Sequence, residues 1–455
     1  MTKWTPIRLS REQTAVTASV LLLAVACIFG GANRYNELGV LTVELASLPF
    51  LVVAILNLPG LKVRGATVPL LILLATLAVP LLQIVPLPPA IWTQLPGRQE
   101  LAAHLALAGL PIGWAPLSLA PAETLDSVLF LIPAATVFLW TLAAPLQTRR
   151  VMAGALVVLA LASLALGLLQ IGVSIHSRIY LHSNSNAGSA VGFFANRNHQ
   201  ATMLLCATPM ALAVALTSYR QWAISTRLYL AALIVFVFIS GLVAVQSRAG
   251  ILLAGPALLA AIGLIAADRK LGTRRRIILG ILGGLLIAVF AIVSVARPGF
   301  LVRFSQPVAD EARLTVLPSE LVAGSKFSPL GAGIGSFEPV FATVEPLETV
   351  DPTFMNNAHN DYIELWMATG LVGPAVLLVF LVWFFTRAWS LWSRKDGDAD
   401  LTLGRAGTIV ILLILLHSAV DYPLRIPTLA AVFAFACGLM VAPPAPRNAR
   451  QPSGR

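Results

Sequence analysis

Apolar segments recur along nearly the whole of this sequence, and each can cross the hydrocarbon core of a bilayer as a helix of about 20 residues. Hydrophobic residues make up 58% of the 455 positions, and charged residues only 11%. Soluble domains carry about 25% charged residues, so a soluble fold is excluded. The sequence therefore predicts an all-α polytopic integral membrane protein.

The hydropathy pattern predicts twelve transmembrane helices. Most of the 31 Lys and Arg residues fall in the loops on one side of these spans, which the positive-inside rule assigns to the cytoplasm. Both termini are then cytoplasmic, and an odd number of spans would break the pattern. The net charge of +11 follows from this topology and does not require a nucleic-acid partner. The predicted spans are 14–31, 38–57, 66–86, 124–145, 151–173, 199–218, 228–246, 249–267, 277–296, 363–386, 405–421 and 426–442.

Three long segments lie on the outer side in this topology: 87–123, 174–198 and 297–362. A long loop between two spans is uncommon unless it has a function. Basic residues precede the first apolar run without a small-residue cleavage site, so this run is interpreted as a retained helix. The cysteines Cys27, Cys206 and Cys437 all lie inside apolar runs and are expected to pack rather than to form disulfides.

A polar cluster at residues 356–361 runs directly into the tenth span, in the sequence MNNAHNDYIELWMATGLVGP. Asn360 or Asp361 can cap the first turn of that helix. His359 then lies at the water–lipid boundary, where a neutral imidazole can meet a polar substrate and accept a proton. A helix cap with an interfacial histidine explains the same residues equally well.

Two further polar groups stand at the outer ends of spans. Span six begins with FFANRNHQ, whose amides and guanidinium could bind sugar hydroxyls or phosphate, or could simply cap the helix. Spans seven and eight are joined by QSRAG with almost no loop, which holds Arg248 near membrane depth, where an ionisable residue suggests a functional site. The residues of the first group are Asn196, Arg197, Asn198 and His199.

The last polar group surrounds the outer ends of spans eleven and twelve. His417 and Asp421 are one helical turn apart and share a face, as either a proton relay or a structural pair, and Arg425 follows closely. In the largest loop, Arg313 has no special feature of its own. The alternating glycines of 331–336 do not follow a strand, so a tight turn is expected rather than a dinucleotide site.

The order FFANRNH, QSRAG, an arginine-bearing loop with PLGAGIGSF, AHNDYIELWMATGLVG and HSAVDYPLR resembles the bacterial O-antigen ligase and Wzy-type polymerase superfamily. The resemblance covers roughly residues 190–425. It implies a GT-C-like glycosyltransferase of the bacterial inner membrane with its active site on the periplasmic side. The corresponding division is an N-terminal helical region over 1–173, a catalytic region over 174–442 that includes the periplasmic loop 297–362, and a cytoplasmic tail over 443–455.

The resemblance also implies the substrates and the site. The donor would be a glycan on undecaprenyl pyrophosphate, and the acceptor a glycan, lipid-linked or on lipid A-core. Arg248 matches the family arginine at the membrane turn, and His359 matches the histidine of the HN motif. Arg313 matches the loop arginine, and the nearby Arg303 is an alternative for that position. No metal or cofactor is implied, and the first outer loop lacks a paired acidic site.

In the mechanism this suggests, Arg248, Arg313 and Arg197 bind the pyrophosphate. His359 takes the proton from the acceptor hydroxyl, which attacks the anomeric carbon with inversion. Ligase and polymerase remain open alternatives, with a modest preference for a polymerase in exopolysaccharide assembly. A protein O-oligosaccharyltransferase and a non-enzymatic flippase or exporter of lipid-linked glycans are the other two hypotheses.

Overall fold

The computed structural model of the chain describes residues 10–32, 37–57, 65–174, 176–182, 186, 188–219, 221–267, 280, 283–284, 312–347, 350, 355–394 and 398–441. These residues form a helical bundle with one two-stranded β-ladder. The helices are α1 Arg11–Phe29, α2 Glu37–Asn57, α3 Thr67–Gln83, α4 Pro89–Trp92, α5 Gln99–Leu107, α6 Pro121–Ala143, α7 Leu146–Gln170, α8 Arg197–Thr217, α9 Ile224–Val245, α10 Arg248–Ala267, α11 Ala312–Lys326, α12 Phe337–Phe341, α13 Asp361–Thr369, α14 Val372–Ser393, α15 Ala399–Ser418 and α16 Pro427–Met440.

Within the described part of the chain, nine helices are long and apolar enough to cross a membrane, and α3 and α16 are shorter apolar helices. Each predicted span except the ninth corresponds to one or two of these helices. The ninth, 277–296, lies almost entirely outside the described residues. The protein is therefore an all-helical, multi-pass membrane protein.

Helices α8 and α15 form the centre of the bundle. Nearly every side chain of both is buried, and α8 packs against α7, α9, α10 and α15. A helix that is apolar on all sides gains most by lying inside such a bundle. By contrast, α2 and α14 bury only about a fifth of their residues and leave many apolar side chains exposed, as expected of helices that face lipid.

The predicted tenth span is interrupted. Residues 361–386 form the short helix α13 and then α14, which are separated at Gly370. Gly370 has φ +58°, and a Cβ at this position would lie 1.9 Å from the carbonyl oxygen of Pro329. The break lets α13 lie against the 312–347 segment while α14 enters the bundle.

The loop segments between the helices pack at the end of the bundle where α13 begins. Strands β1 (Pro86–Leu87) and β2 (Ala115–Pro116) pair antiparallel. The glycine-rich segment 331–336 runs between them and α13, and its Ala332 and Gly333 amides donate to the Met367 and Ala368 carbonyls. Glycines at 331, 333 and 335 all have positive φ, so this segment is a tight turn as expected.

Arg98 lies where two of the long segments between helices meet. Its side chain is buried and donates to the carbonyls of Leu117 and, at 2.8 Å, of Gly331. The guanidinium also lies 5.3 Å from the ring centroid of Phe327 at the end of α11. Burial lowers the pKa of this guanidinium to about 10, which leaves it charged at neutral pH. Arg98 therefore links the 87–123 segment to the 312–347 segment.

Candidate functional site

The first component of the candidate site is the amino-terminal turn of α8. Asn196 caps this helix by accepting a hydrogen bond of 2.8 Å from the backbone amide of Asn198. Arg197 is half-buried in the first turn, and Asn198 and His199 are buried. The NRNH motif thus supplies the helix cap, as one of the two sequence interpretations stated, and it also directs two polar side chains into the bundle.

The second component is the sharp turn between α9 and α10. Gln246 ends α9 in the left-handed conformation with φ +57°, and Arg248 is already the first residue of α10. Between them, the buried Ser247 donates from Oγ to Asn198 Oδ1 at 2.8 Å and accepts from the Gly250 amide at 3.0 Å. The hydrogen bond between Ser247 and Asn198 places the half-buried Arg248 at the same end of the bundle as the NRNH motif.

Asp421 is the centre on which these components converge. Its carboxylate is fully buried and accepts a 2.6 Å hydrogen bond from Asn198 Nδ2. His417 Nε2 lies 3.7 Å and His199 Nε2 3.9 Å from the carboxylate oxygens. His417 Nδ1 in turn lies 2.6 Å from Thr202 Oγ1. The predicted shared face of His417 and Asp421 is confirmed, and it includes a second histidine that came from a different motif.

The third component is the HN motif before α13. Asn360 is the helix cap, and its Oδ1 accepts from the amides of Tyr362 and Ile363 at 3.0 and 3.2 Å. Its Nδ2 donates to the Ala419 carbonyl at 2.9 Å, which attaches the start of α13 to the turn after α15. His359 has φ +48°, and its ring contacts Tyr422 edge-on at a centroid distance of 5.1 Å.

Tyr422 connects the HN motif to the buried centre. Its ring also contacts the His199 ring edge-on at 5.3 Å, and Tyr422 directly follows Asp421. A continuous series of contacts therefore runs from Ser247 through Asn198, Asp421 and Tyr422 to His359. Three motifs that are far apart in the sequence thus meet at one end of the bundle.

A cluster of charged groups lies beside this series. Arg425 contacts Asp361 Oδ1 from Nε at 3.4 Å and Glu364 Oε1 from Nη1 at 3.1 Å. Asp361 also accepts from Ser418 Oγ at 2.8 Å. Burial raises the pKa of Asp361 to about 7, and the Arg425 charge and the Ser418 hydroxyl oppose that rise. Arg425 therefore compensates two buried carboxylates, those of Asp361 and Glu364.

Helix α11, which carries Arg313 in its first turn, packs on α13. Val316, Ala323 and Phe327 form an apolar cluster with Ala358 and Met367. The backbone of Arg313 thus belongs to a helix that covers the HN motif, although the structure does not describe its side chain. The competing Arg303 lies outside the described residues.

An apolar cavity of about 340 Å³ opens among α3, α6, α14 and α16. Near the polar cluster, its lining includes Leu365, Leu415 and Leu424. Leu415 accepts a hydrogen bond from Tyr362 Oη at 2.6 Å, and the amide of Leu424 approaches the Asp361 carboxylate at 3.4 Å. The apolar space therefore lies directly beside the polar site.

Sequence reasoning did not identify several residues on which the site depends. Thr202 lies four residues after Asn198, and Glu364 three residues after Asp361, so helical spacing could have indicated both. Ser247 was part of the QSRAG motif, but nothing in the sequence assigned its hydroxyl to Asn198. No described group of three His, Cys, Asp or Glu side chains has the arrangement of a metal site.

The bundle and this cluster define a class: a multi-pass helical membrane protein with a buried polar site at one end of its helices. Residues 233–381 match the family described as O-antigen ligase, and the match includes Arg248, Arg313 and His359. This confirms the resemblance to the O-antigen ligase and Wzy-type polymerase superfamily and supports a membrane enzyme of the ligase or polymerase type. The NRNH and DYPLR segments lie outside the matched range. A search of curated proteins gives no match.

Proposed function

We propose that this protein is a GT-C-like inverting glycosyltransferase that moves a glycan from undecaprenyl pyrophosphate onto an acceptor hydroxyl at the periplasmic face of the inner membrane. The acceptor is a lipid-linked glycan or lipid A-core. The catalytic region is 174–442, supported by the membrane helices of 1–173, and the termini face the cytoplasm. The observation that carries the proposal is the series of contacts that brings the QSRAG, NRNH and HN motifs together.

The arginines bind the donor in this proposal. Breaking the bond between the anomeric carbon and the pyrophosphate oxygen develops negative charge on the leaving group, which fixed guanidiniums stabilise. Arg248 and Arg197 each stand in the first turn of a helix, α10 and α8, whose dipoles also favour an anion there. Arg313 is carried by α11, the helix that packs on α13.

His359 is the proposed general base. It takes the proton from the acceptor hydroxyl while that oxygen bonds to the anomeric carbon, and undecaprenyl pyrophosphate leaves from the opposite face. The positive φ of His359 costs about 1–3 kcal/mol and is held by the Asn360 cap and the Tyr422 contact. Asn196, Asn198, His199 and Asp421 position these groups.

The apolar cavity supports a lipid carrier over a soluble nucleotide-sugar donor. It lies beside Asp361 and Tyr362 and is walled by candidate membrane helices. Burying part of an isoprenoid chain there would release about 25 cal/mol per Å² of apolar surface. The charged end of the same molecule would then lie at the polar site.

The test replaces Arg248 or His359 by Ala in cells that lack the native protein, with polysaccharide output and protein level measured together. Arg248→Ala removes a donor that stabilises the transition state, which costs about 3–4 kcal/mol, or roughly 100- to 1000-fold in rate. His359→Ala removes the general base, which costs roughly 100- to 10,000-fold. The exposed Arg178 and His176 provide matched control substitutions that should leave output unchanged. Normal output from Arg248→Ala in cells that express it would refute the donor-binding role.

A deletion strain separates the alternatives. Loss of long chains with a single repeat retained indicates a polymerase, and loss of all glycan from lipid A indicates a ligase. Glycan lost from a protein indicates an O-oligosaccharyltransferase. Purified protein that moves a lipid-linked glycan across vesicles without forming a glycosidic bond would identify a flippase and overturn the enzyme proposal.

A further inference from the structure

Glu320 is buried where α11 packs on α13, and the proposed mechanism does not use it. Its relative exposure is 1%, and its Oε1 has no hydrogen-bond partner among the described residues. It lies two helical turns after Arg313 along α11. A carboxylate in such a position is costly to ionise because burial removes its hydration.

A second carboxyl group, that of Glu364, makes ionisation of Glu320 harder still. The Glu364 carboxylate on α13 raises the pKa of Glu320. Glu364 Oε1 lies 3.1 Å from Arg425 Nη1, and its Oε2 accepts from the Ala358 amide at 2.9 Å. The Arg425 guanidinium in this cluster therefore pairs with Glu364 and Asp361. The ionisable side chains on the surrounding elements are Glu338 on α12, Asp361 and Glu364 on α13, and Arg425, with Arg98, Glu100 and Lys326 at the far end of α11.

We propose that Glu320 is a positioning residue, which as a neutral carboxylic acid allows α11 to dock on α13 and so places the helix that carries Arg313 over the active site. Ionisation of Glu320 weakens this docking because two carboxylates would then be buried beside each other. The inference rests on the proposed function for the role of Arg313. It assigns to Glu320 control of the pH range in which transfer occurs.

The direction of the pH dependence follows from the two states of α11. Burial and the Glu364 charge raise the pKa of docked Glu320 to about 8, whereas undocked glutamate has its ordinary pKa of 4.5. Docking is therefore strongest below the ordinary value. It weakens about tenfold per pH unit as the pH rises toward 8, and the loss is complete above the docked pKa.

A labelling experiment on the whole protein in proteoliposomes measures docking without any substrate. Ala323→Cys places a thiol on the fully buried face of α11, and Val322→Cys places one on its face with 56% exposure. The ratio of their modification rates by a membrane-impermeant thiol reagent corrects for thiol ionisation and reagent decay. Between pH 6 and pH 8 the ratio should rise about 100-fold and then level off.

Glu320→Gln is the decisive second variant, because the amide reproduces the shape of the protonated carboxyl without its charge. In this background, the labelling ratio should stay low and constant up to pH 9. Should Ala323→Cys prevent folding, hydrogen exchange of the α11 amides in the wild type and in Glu320→Gln gives the same comparison. A ratio independent of pH in the wild type, or equally pH-dependent in Glu320→Gln, would overturn the proposal and would in the latter case point to Asp361.

A measurement of transfer activity distinguishes failure of the Glu320 proposal from failure of the glycosyltransferase proposal. Wild-type transfer should fall between pH 7 and pH 9, and Glu320→Gln should abolish that fall. Transfer whose alkaline decline survives in Glu320→Gln refutes the positioning role and leaves the glycosyltransferase intact. A pH-dependent labelling ratio in a protein that forms no glycosidic bond refutes the proposed function and leaves the docking equilibrium intact.

Discussion

Asn198 and Asp421 share the hydrogen bond through which the α9–α10 turn is connected to the histidine cluster. Asn198 Nδ2 donates to Asp421 Oδ2 at 2.6 Å, and Asn198 Oδ1 accepts from Ser247. Because both side chains are buried, their roles are fixed: one amide and one carboxylate are needed. Asn198→Asp keeps the shape and replaces the donor with a second carboxylate.

The cost of Asn198→Asp follows from this geometry. Two carboxylates at hydrogen-bond distance in a buried site cannot both ionise, so one must take up a proton. Protonating an aspartate of ordinary pKa about 3.9 costs about 4 kcal/mol at pH 7. Asp421→Asn leaves two amides that can still form a hydrogen bond, but this bond is no longer charge-assisted, which costs about 1 kcal/mol. The substitution also removes the carboxylate that faces His199 and His417.

The double variant exchanges the two side chains and restores the bond with donor and acceptor reversed. The carboxylate moved to position 198 still accepts from Ser247 Oγ. It also stays at hydrogen-bond distance from the side chain at position 421, which both histidines face. We expect the double variant to be within about 1 kcal/mol of the wild type, so that the coupling energy between the sites is about 4–5 kcal/mol.

The assay is the thermal unfolding of the four purified proteins, compared at pH 7 and at lower pH. The deficit of Asn198→Asp relative to the wild type should shrink by about 1.4 kcal/mol per pH unit as the pH falls toward 4, because the required proton becomes easier to bind. Asn196→Asp is the matched control: it keeps a good cap at the same helix end and should cost little. A double variant no more stable than Asn198→Asp would refute this reasoning.

Two further substitutions, each with a control, test the fold. Gly370→Ala should destabilise the protein by more than about 3 kcal/mol, since a Cβ would lie 1.9 Å from the Pro329 oxygen at φ +58°, and thermal unfolding measures this. Gly109→Ala is the control for Gly370→Ala, because Gly109 has φ +69° but a Cβ there would have no atom within 4 Å. Its cost should be roughly 1–2 kcal/mol. Equal losses of stability at both glycines would contradict the steric argument. Arg98→Met should lose the charged hydrogen bonds to the Leu117 and Gly331 carbonyls, about 1.5–3 kcal/mol each. The exposed Arg178→Met is its control and should stay within about 0.5 kcal/mol in the same assay.

The positions of the membrane helices were predictable because hydrophobicity is a local property of the chain. A run such as 228–246 must cross a bilayer whatever its neighbours are, and the structure has α9 at 224–245. The break at Gly370 was not predictable from hydropathy. Its reason is the approach of the Pro329 carbonyl, which comes from a segment that hydropathy treats as an independent loop.

The amino-terminal caps of two helices were also predictable from the sequence. Asn196 and Asn360 each precede a helix by one residue, and a short side-chain acceptor at that point satisfies amides only two or three positions away. The contacts of Arg425 were only partly predictable from the sequence. The sequence placed it near His417 and Asp421, but its ion pairs are with Asp361 and Glu364, more than 60 positions earlier.

By itself, the sequence determined that this chain is a helical membrane protein, where most of its helices lie, and which motifs are polar enough to matter at their ends. Only the tertiary structure decided that Ser247, Asn198, Asp421 and His359 belong to one connected group. The physical reason is that membrane insertion and helix capping depend on neighbouring residues in the chain. Which helix ends meet depends instead on packing around α8 and α15, and on buried polar groups that must find partners far away in the sequence.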